Sequence, residues 1–189
     1  MKKMFILSGL LVYLLLSGYL VIAATEPPGV GGVLPEIILS VPPKPDHQKY
    51  LGLAGEGRFT IPKIKAKVVL IEIFSMYCPH CQSNASIVNE FYRKIENDRN
   101  LKEQIKLIGI GTGNSSYEID VFRKKYNIEF PLFPDGDYSI HKMVGEVRTP
   151  YFIGVKIGKG GAHSIFFSKL GGIENPDKFI SLILQLSGL

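Results

Sequence analysis

Val68-Val69-Leu70-Ile71-Glu72-Ile73-Phe74-Ser75, followed without a break by Met76-Tyr77-Cys78-Pro79-His80-Cys81, decides the reading of this chain. The first eight positions are aliphatic or aromatic except for Glu72 and Ser75. An unbroken apolar run of this length fits a central strand buried on both faces, whereas strict alternation would mark a strand with one wet face. Downstream, apolar residues recur at Ala85, Val88, Phe91, Tyr92 and Ile95, the spacing of one helical face. A helix is therefore predicted from Gln82 to about Arg99. Pro79 suits a first helical position, where the N–H it lacks is not needed. Cys78 thus falls at a helix N-terminus directly behind a buried strand.

Working outward, Gly57 to Ile64 has extended character and Lys65-Ala66-Lys67 reads as a turn. Ile105 to Gly111 is a second buried run, Ser116 to Tyr126 a helix with Val121, Phe122 and Tyr126 facing inward, and Phe130 to Asp135 a short extended piece. Tyr138 to about Val144 reads as a short helix. Tyr151 to Ile157 and His163 to Leu170 flank Gly158-Lys159-Gly160-Gly161, a hairpin signal. Asn175 and Pro176 open a last helix that runs to about Ser187, with Gly188 behind it. The order β, α, β, α, then β, β, α predicts an α/β domain with a mixed central sheet and helices on both faces. Gly109-Ile110-Gly111-Thr112-Gly113 is a plain strand-to-helix turn, because Asn114 breaks the G-x-G-x-x-G phosphate pattern.

The domain proper is assigned to residues 51–189. Residues 25–50 are rich in Pro and Gly and read as a linker, with Glu36-Ile37-Ile38-Leu39 the one patch able to dock on the domain. Residues 1–24 open on Lys2-Lys3, followed by 21 uncharged residues from Met4 to Ala24. That pattern is a secretory signal peptide or, given its length, a retained N-terminal membrane anchor. Either destines the remainder for a periplasmic or other extracytoplasmic location, and no cysteine is present for a lipid anchor. The net charge is +5, of which the leader holds two lysines; the rest are scattered among acids, as a solvated surface rather than a nucleic-acid footprint. An apolar content of 46% supports a packed core and excludes a wholly disordered chain.

The chain has two cysteines, three positions apart. So short a loop stabilises little as a structural disulfide, because little unfolded-state entropy is removed. Two thiols at a helix start do suit exchange chemistry. The first is stabilised as thiolate by the helix N-terminus and its free N–H groups, and the second lies one turn along, shielded and able to resolve a mixed disulfide. Cys78 is read as nucleophile and Cys81 as resolving thiol, with the Cys78–Cys81 pair as the only redox group and no separate cofactor. Pro79 and His80 lie between them, and His80 adds a donor near the thiolate. A zinc site would need two more ligands, and His47, His141 and His163 show no ligand spacing. Glu72, six residues before Cys78, is a carboxylate in an apolar strand, where burial raises its pKa and suits it to exchange a proton with Cys81; the alternative is an exposed strand-edge charge. Tyr77 and Met76 border the cysteines and either line a substrate groove or simply pack.

Glu72 to Cys81 resembles the active-site segment of DsbA, the periplasmic disulfide-forming oxidoreductase, and the Cys78-Pro79-His80-Cys81 match is specific. Only 68 residues separate Cys81 from Pro150, too few for the inserted helical domain of that family. Ile105–Gly111, Phe122–Tyr126, Phe130–Asp135 and Thr149-Pro150 look like the TlpA/ResA branch of the thioredoxin-like superfamily, over roughly residues 57–187. Tyr77 stands where that family usually carries Trp. The resemblance implies a thioredoxin-like fold, a cis bond at Pro150 beside the active site, and a backbone at Thr149 that receives extended substrate. It implies an enzyme exchanging disulfides with protein thiols, recharged by a membrane redox partner. The DsbA-like motif points to a disulfide donor, and the TlpA-like body to a thiol reductase of the cytochrome c maturation type. A copper-binding thiol module is a third reading, since soft thiolates suit Cu(I).

Overall fold

The computed structural model describes residues 26–189. The leader or anchor expected over residues 1–24 lies outside the described residues. Seven strands and five helices follow in order: β1 (Ile38–Ser40), α1 (Pro45–Leu51), β2 (Arg58–Thr60), β3 (Val68–Phe74), α2 (Pro79–Asn97), β4 (Ile105–Thr112), α3 (Ser116–Tyr126), β5 (Leu132–Asp135), α4 (Ser139–Met143), β6 (Tyr151–Ile157), β7 (His163–Leu170) and α5 (Pro176–Ser187).

Five strands form the main sheet in the order β5-β4-β3-β6-β7. β3 is central, and all seven of its residues are buried, as its unbroken apolar run predicts. It pairs parallel with β4 (Ile71 opposite Ile108) and antiparallel with β6 (Ile73 opposite Tyr151). The sheet is therefore mixed. The register also fixes the site: residues leaving β3 at its C-terminal end lie beside residues entering β6, so the Cys78 loop meets Thr149-Pro150.

The two faces of β3 carry separate cores. Val68, Leu70 and Phe74 pack with Ala85, Val88, Phe91 and Ile95 of α2, Ile119 and Phe122 of α3, and Ile183 of α5. Val69, Ile71 and Ile73 pack with Ile140 of α4 and with Leu34, Ile37, Leu39, Leu51, Phe59, Ile61 and Ile64. The helix ends follow their residues. Ser115 and Glu118 form a reciprocal capping box at α3, Asn175 caps α5, and Gly188 takes the left-handed conformation that ends it at φ 71°.

The linker assigned to residues 25–50 is where the structure departs from the sequence reading. Instead of a loose spacer, Leu34, Ile37 and Leu39 are buried, β1 pairs antiparallel with β2, and α1 forms. The physical reason is that one sheet face would otherwise be bare: of the helices after β3, only α4 reaches it. Apolar residues at 34, 37 and 39 outweigh the surrounding Pro and Gly. The same segment covers strand edges. Gly31 N–H donates to Ile165 O (2.8 Å), and Ile165 N–H donates to Gly32 O (2.9 Å), beside the edge strand β7. The Tyr50 hydroxyl accepts from Leu107 N–H at 2.7 Å on the stretch of β4 that β5 leaves unpaired.

Candidate active site

β3 ends at Phe74, and the chain turns through Ser75, Met76 and Tyr77 to Cys78, the N-cap residue of α2, with Pro79 in the first turn. Cys78 Sγ donates to the carbonyl oxygen of Thr149 at 3.3 Å. The Thr149–Pro150 bond is cis. Cys81, one turn into the helix, is buried, whereas Cys78 is partly exposed.

The two thiols are electrostatically unlike. Partial burial alone would raise the Cys78 thiol. The Thr149 side chain, the backbone and thiol of Cys81 and the His80 backbone outweigh it by hydrogen bonding, so the pKa falls below the ordinary value. Burial pushes the Cys81 thiol far up; the Ser75 backbone opposes that, and the negative charge of Glu72 adds to it. Glu72 lies on the α2 side of β3 at 6% exposure, with Phe152 of β6 and Gly109 of β4 as its strand neighbours. Burial, followed by the charge of Cys78, raises its carboxyl from 4.5 to about 8. It stands in the sheet interior and not at a strand edge. His80 is exposed, and it acts on Cys78 through its backbone N–H rather than its ring.

Asn114 and Gln82, which the sequence reading passed over as site residues, and Tyr77, which it placed beside the cysteines, hold the loop in front of Cys78. Asn114, fully buried behind β4, accepts the Met76 N–H on Oδ1 at 2.8 Å. Gln82 donates from Nε2 to the Met76 carbonyl at 2.7 Å. Tyr77, 63% exposed, donates its hydroxyl to Glu118. Hydrogen bonds from the Ser115 side chain, Tyr77 and the Ser115 backbone draw Glu118 down to about 2, so it stays ionised there. Met76 is therefore clamped on both of its backbone polar groups. Gln82 was visible in the sequence only as a helical position, and Asn114 only as the residue that breaks a glycine pattern.

The site brings together Glu72, Tyr77, Cys78, Pro79, His80, Cys81, Thr149 and Pro150. Among the described residues, no cluster of three or more His, Cys, Asp or Glu is arranged to hold a metal ion, and no helix is long and apolar enough to cross a membrane.

No known family profile matches the sequence, and no curated protein matches it. Solved structures do match. A secreted Mycobacterium tuberculosis disulfide oxidoreductase homologous to E. coli DsbE superposes with a TM-score of 0.51 at 17% identity, over 71% of this chain and 90% of that one. StoA from Bacillus subtilis gives 0.56 at 15% identity, over 79% and 98%. The thioredoxin domain of a thiol-disulfide oxidoreductase from Bacteroides vulgatus gives 0.59 at 14% identity, over 82% and 98%. With its mixed five-stranded sheet, the partly exposed Cys78 at the start of α2 and cis-Pro150 opposite, this chain has the thioredoxin-like fold.

Proposed function

We propose that the protein is an extracytoplasmic thiol–disulfide oxidoreductase that exchanges disulfides with polypeptide thiols through Cys78 and Cys81. The observation that carries this is the asymmetry of the pair: one accessible thiol with a lowered pKa at a helix start, one buried thiol with a raised pKa a turn behind it. An exchange enzyme needs both. The oxidoreductase names of the fold neighbours support the same chemistry. The location rests on the leader-like residues 1–24 and on the secreted M. tuberculosis neighbour.

In the reducing direction, the Cys78 thiolate attacks one sulfur of a substrate disulfide. The Cys78–substrate bond forms, the substrate S–S bond breaks, and one substrate thiolate leaves. Cys81 then loses its proton to ionised Glu72 and attacks Cys78 Sγ. The Cys78–Cys81 disulfide forms, the second substrate thiolate departs, and two electrons have passed from enzyme to substrate. Thiol donation by the protein in one turnover requires recharging, the task of a membrane redox partner. In the oxidising direction every step reverses. The low Cys78 pKa stabilises the reduced enzyme and so favours a disulfide donor. Thr149 and Pro150 form the opposite wall for an extended substrate, and Tyr77 its rim. Cys78, Cys81 and Glu72 carry the chemistry; Pro79 and His80 shape the helix start.

Trapping with Cys81→Ala tests the proposal. The variant lacks the resolving thiol, so mixed disulfides with exported polypeptides accumulate on Cys78, and they disappear in the Cys78→Ala/Cys81→Ala double variant. Absence of any Cys78 adduct in cells would overturn it.

A further inference from the structure

Between the N-terminal segment and the outer edge of the main sheet lies a cavity of about 790 Å3 whose walls include neither cysteine and neither Thr149 nor Pro150. One wall is β1 with the start of α1, and the other is built by α3, β5 and α4. The cavity is a cleft open to solvent, and its volume lies within the range of sites for small organic ligands. Leu39, Val41, Ile119, Leu132, Phe133 and Ile140 supply an apolar lining.

Arg123 is the exception in that lining, and its side chain is only 13% exposed. Its Nε is buried without a hydrogen-bond partner. Nη2 reaches the Leu132 carbonyl only at 3.4 Å, and the exposed Asp120 carboxylate stands 4.0 Å from Nε, beyond hydrogen-bond distance. A guanidinium carries five donors in a fork that matches an oxyanion, and of that fork only Nε is enclosed and unmet. Lys44, His47 and Arg58 line the same cavity. At His47, burial and then the charges of Arg123 and Lys44 disfavour protonation, against the Glu129 backbone and the charge of Asp46. Four carboxylates share the lining: Asp135 accepts the N–H groups of Ile140 and His141, Asp137 accepts that of Ser139, and Glu36 and Asp120 are exposed to solvent.

We propose that this cavity binds a small organic monoanion, a carboxylate or sulfonate with an apolar body, whose head group pairs with Arg123 and whose body lies against Leu39, Leu132 and Phe133. The pocket is independent of the dithiol and gives the protein a second binding activity.

Decanoate, decanol and the fluorescent sulfonate 8-anilinonaphthalene-1-sulfonate test it on the full chain. Decanoate should displace the fluorophore from a single saturable site and bind at least about tenfold more tightly than decanol, the value of a charge-assisted pair. Arg123→Gln should remove that preference and leave decanol binding unchanged. Ser40→Trp, a change at an exposed wall position, should abolish displacement by filling the cavity. Three results would each overturn the proposal: no saturable decanoate binding, equal affinity for decanoate and decanol on the unaltered protein, or unchanged decanoate affinity in Ser40→Trp. The second comparison needs no variant, so a misfolded Arg123→Gln leaves the test intact.

Discussion

The Cys78 thiol donates to the Thr149 carbonyl across 3.3 Å, although the two residues are 71 positions apart in the chain. The antiparallel pairing of β3 with β6 produces this contact, by setting Ile73 opposite Tyr151. In the proposed exchange, a substrate disulfide at Cys78 would arrive against the backbone of Thr149. One strand register sets the positions of both residues.

The two thiols should titrate apart. Alkylation by iodoacetamide, followed residue by residue with mass spectrometry, should show Cys78 reacting with a midpoint below the ordinary thiol value of 9.0. Cys81 should stay unreactive until well above it, because it is buried and faces Glu72. A common midpoint would contradict the assigned roles.

Glu72→Gln should separate catalysis from stability. Without the carboxylate, resolution of the mixed disulfide should slow by about 100-fold above pH 8, where Glu72 is ionised, the usual scale of a lost proton acceptor, and by less at neutral pH. Stability should move the other way. The Glu72 carboxyl titrates near 8 in the folded protein against 4.5 ordinarily. Between those values the folded state holds a proton that the unfolded state has released, so stability falls as pH rises through that window. The full cost is on the order of 5 kcal/mol. Gln cannot ionise, so the variant should be more resistant to urea at pH 8–9, with the advantage fading towards pH 4. Identical urea midpoints at both pH values would remove Glu72 from the sheet interior.

Asn114→Ala should loosen the active-site loop. It leaves the Met76 N–H without its acceptor, a loss of about 1 kcal/mol for a part-buried bond. Equilibrium urea unfolding reads that loss. A purely structural role would leave the Cys78 alkylation midpoint where it was. A loop that positions the thiol should shift the midpoint upward.

How far the sequence carried the reading differs from element to element. β3 and α2 were legible because each is specified locally, by an unbroken apolar run and by helical spacing behind a proline. Glu72 stood out for the same reason, as a charge inside that run. The clamp on Met76 was not legible: Asn114 lies 38 positions away from it, and no local pattern announces a side chain that will meet a distant backbone amide. The Tyr77–Glu118 bond spans 41 positions and was hidden likewise. The docked N-terminal segment was read mainly as a linker because Pro and Gly dominate its composition, although Glu36-Ile37-Ile38-Leu39 stood out as the patch able to dock, and Ile37 and Leu39 are buried. Its burial depends on a bare sheet face that exists only once β3, β4 and β6 have assembled.

Ile37→Ala tests that docking. Ile37 is 1% exposed in the core beneath the sheet, so truncation should cost about 2–5 kcal/mol. A true spacer residue would cost almost nothing, and thermal or urea unfolding distinguishes the two.

Equilibration in glutathione redox buffers, with thiols counted by mass, reads the exchange chemistry of the pair itself. One two-electron transition is expected, in which the unaltered protein loses both thiol hydrogens as the Cys78–Cys81 disulfide forms and carries no lasting glutathione. Cys81→Ala should instead hold a single glutathione on Cys78. Stable glutathione on both cysteines of the unaltered protein, or no transition at all, would contradict it.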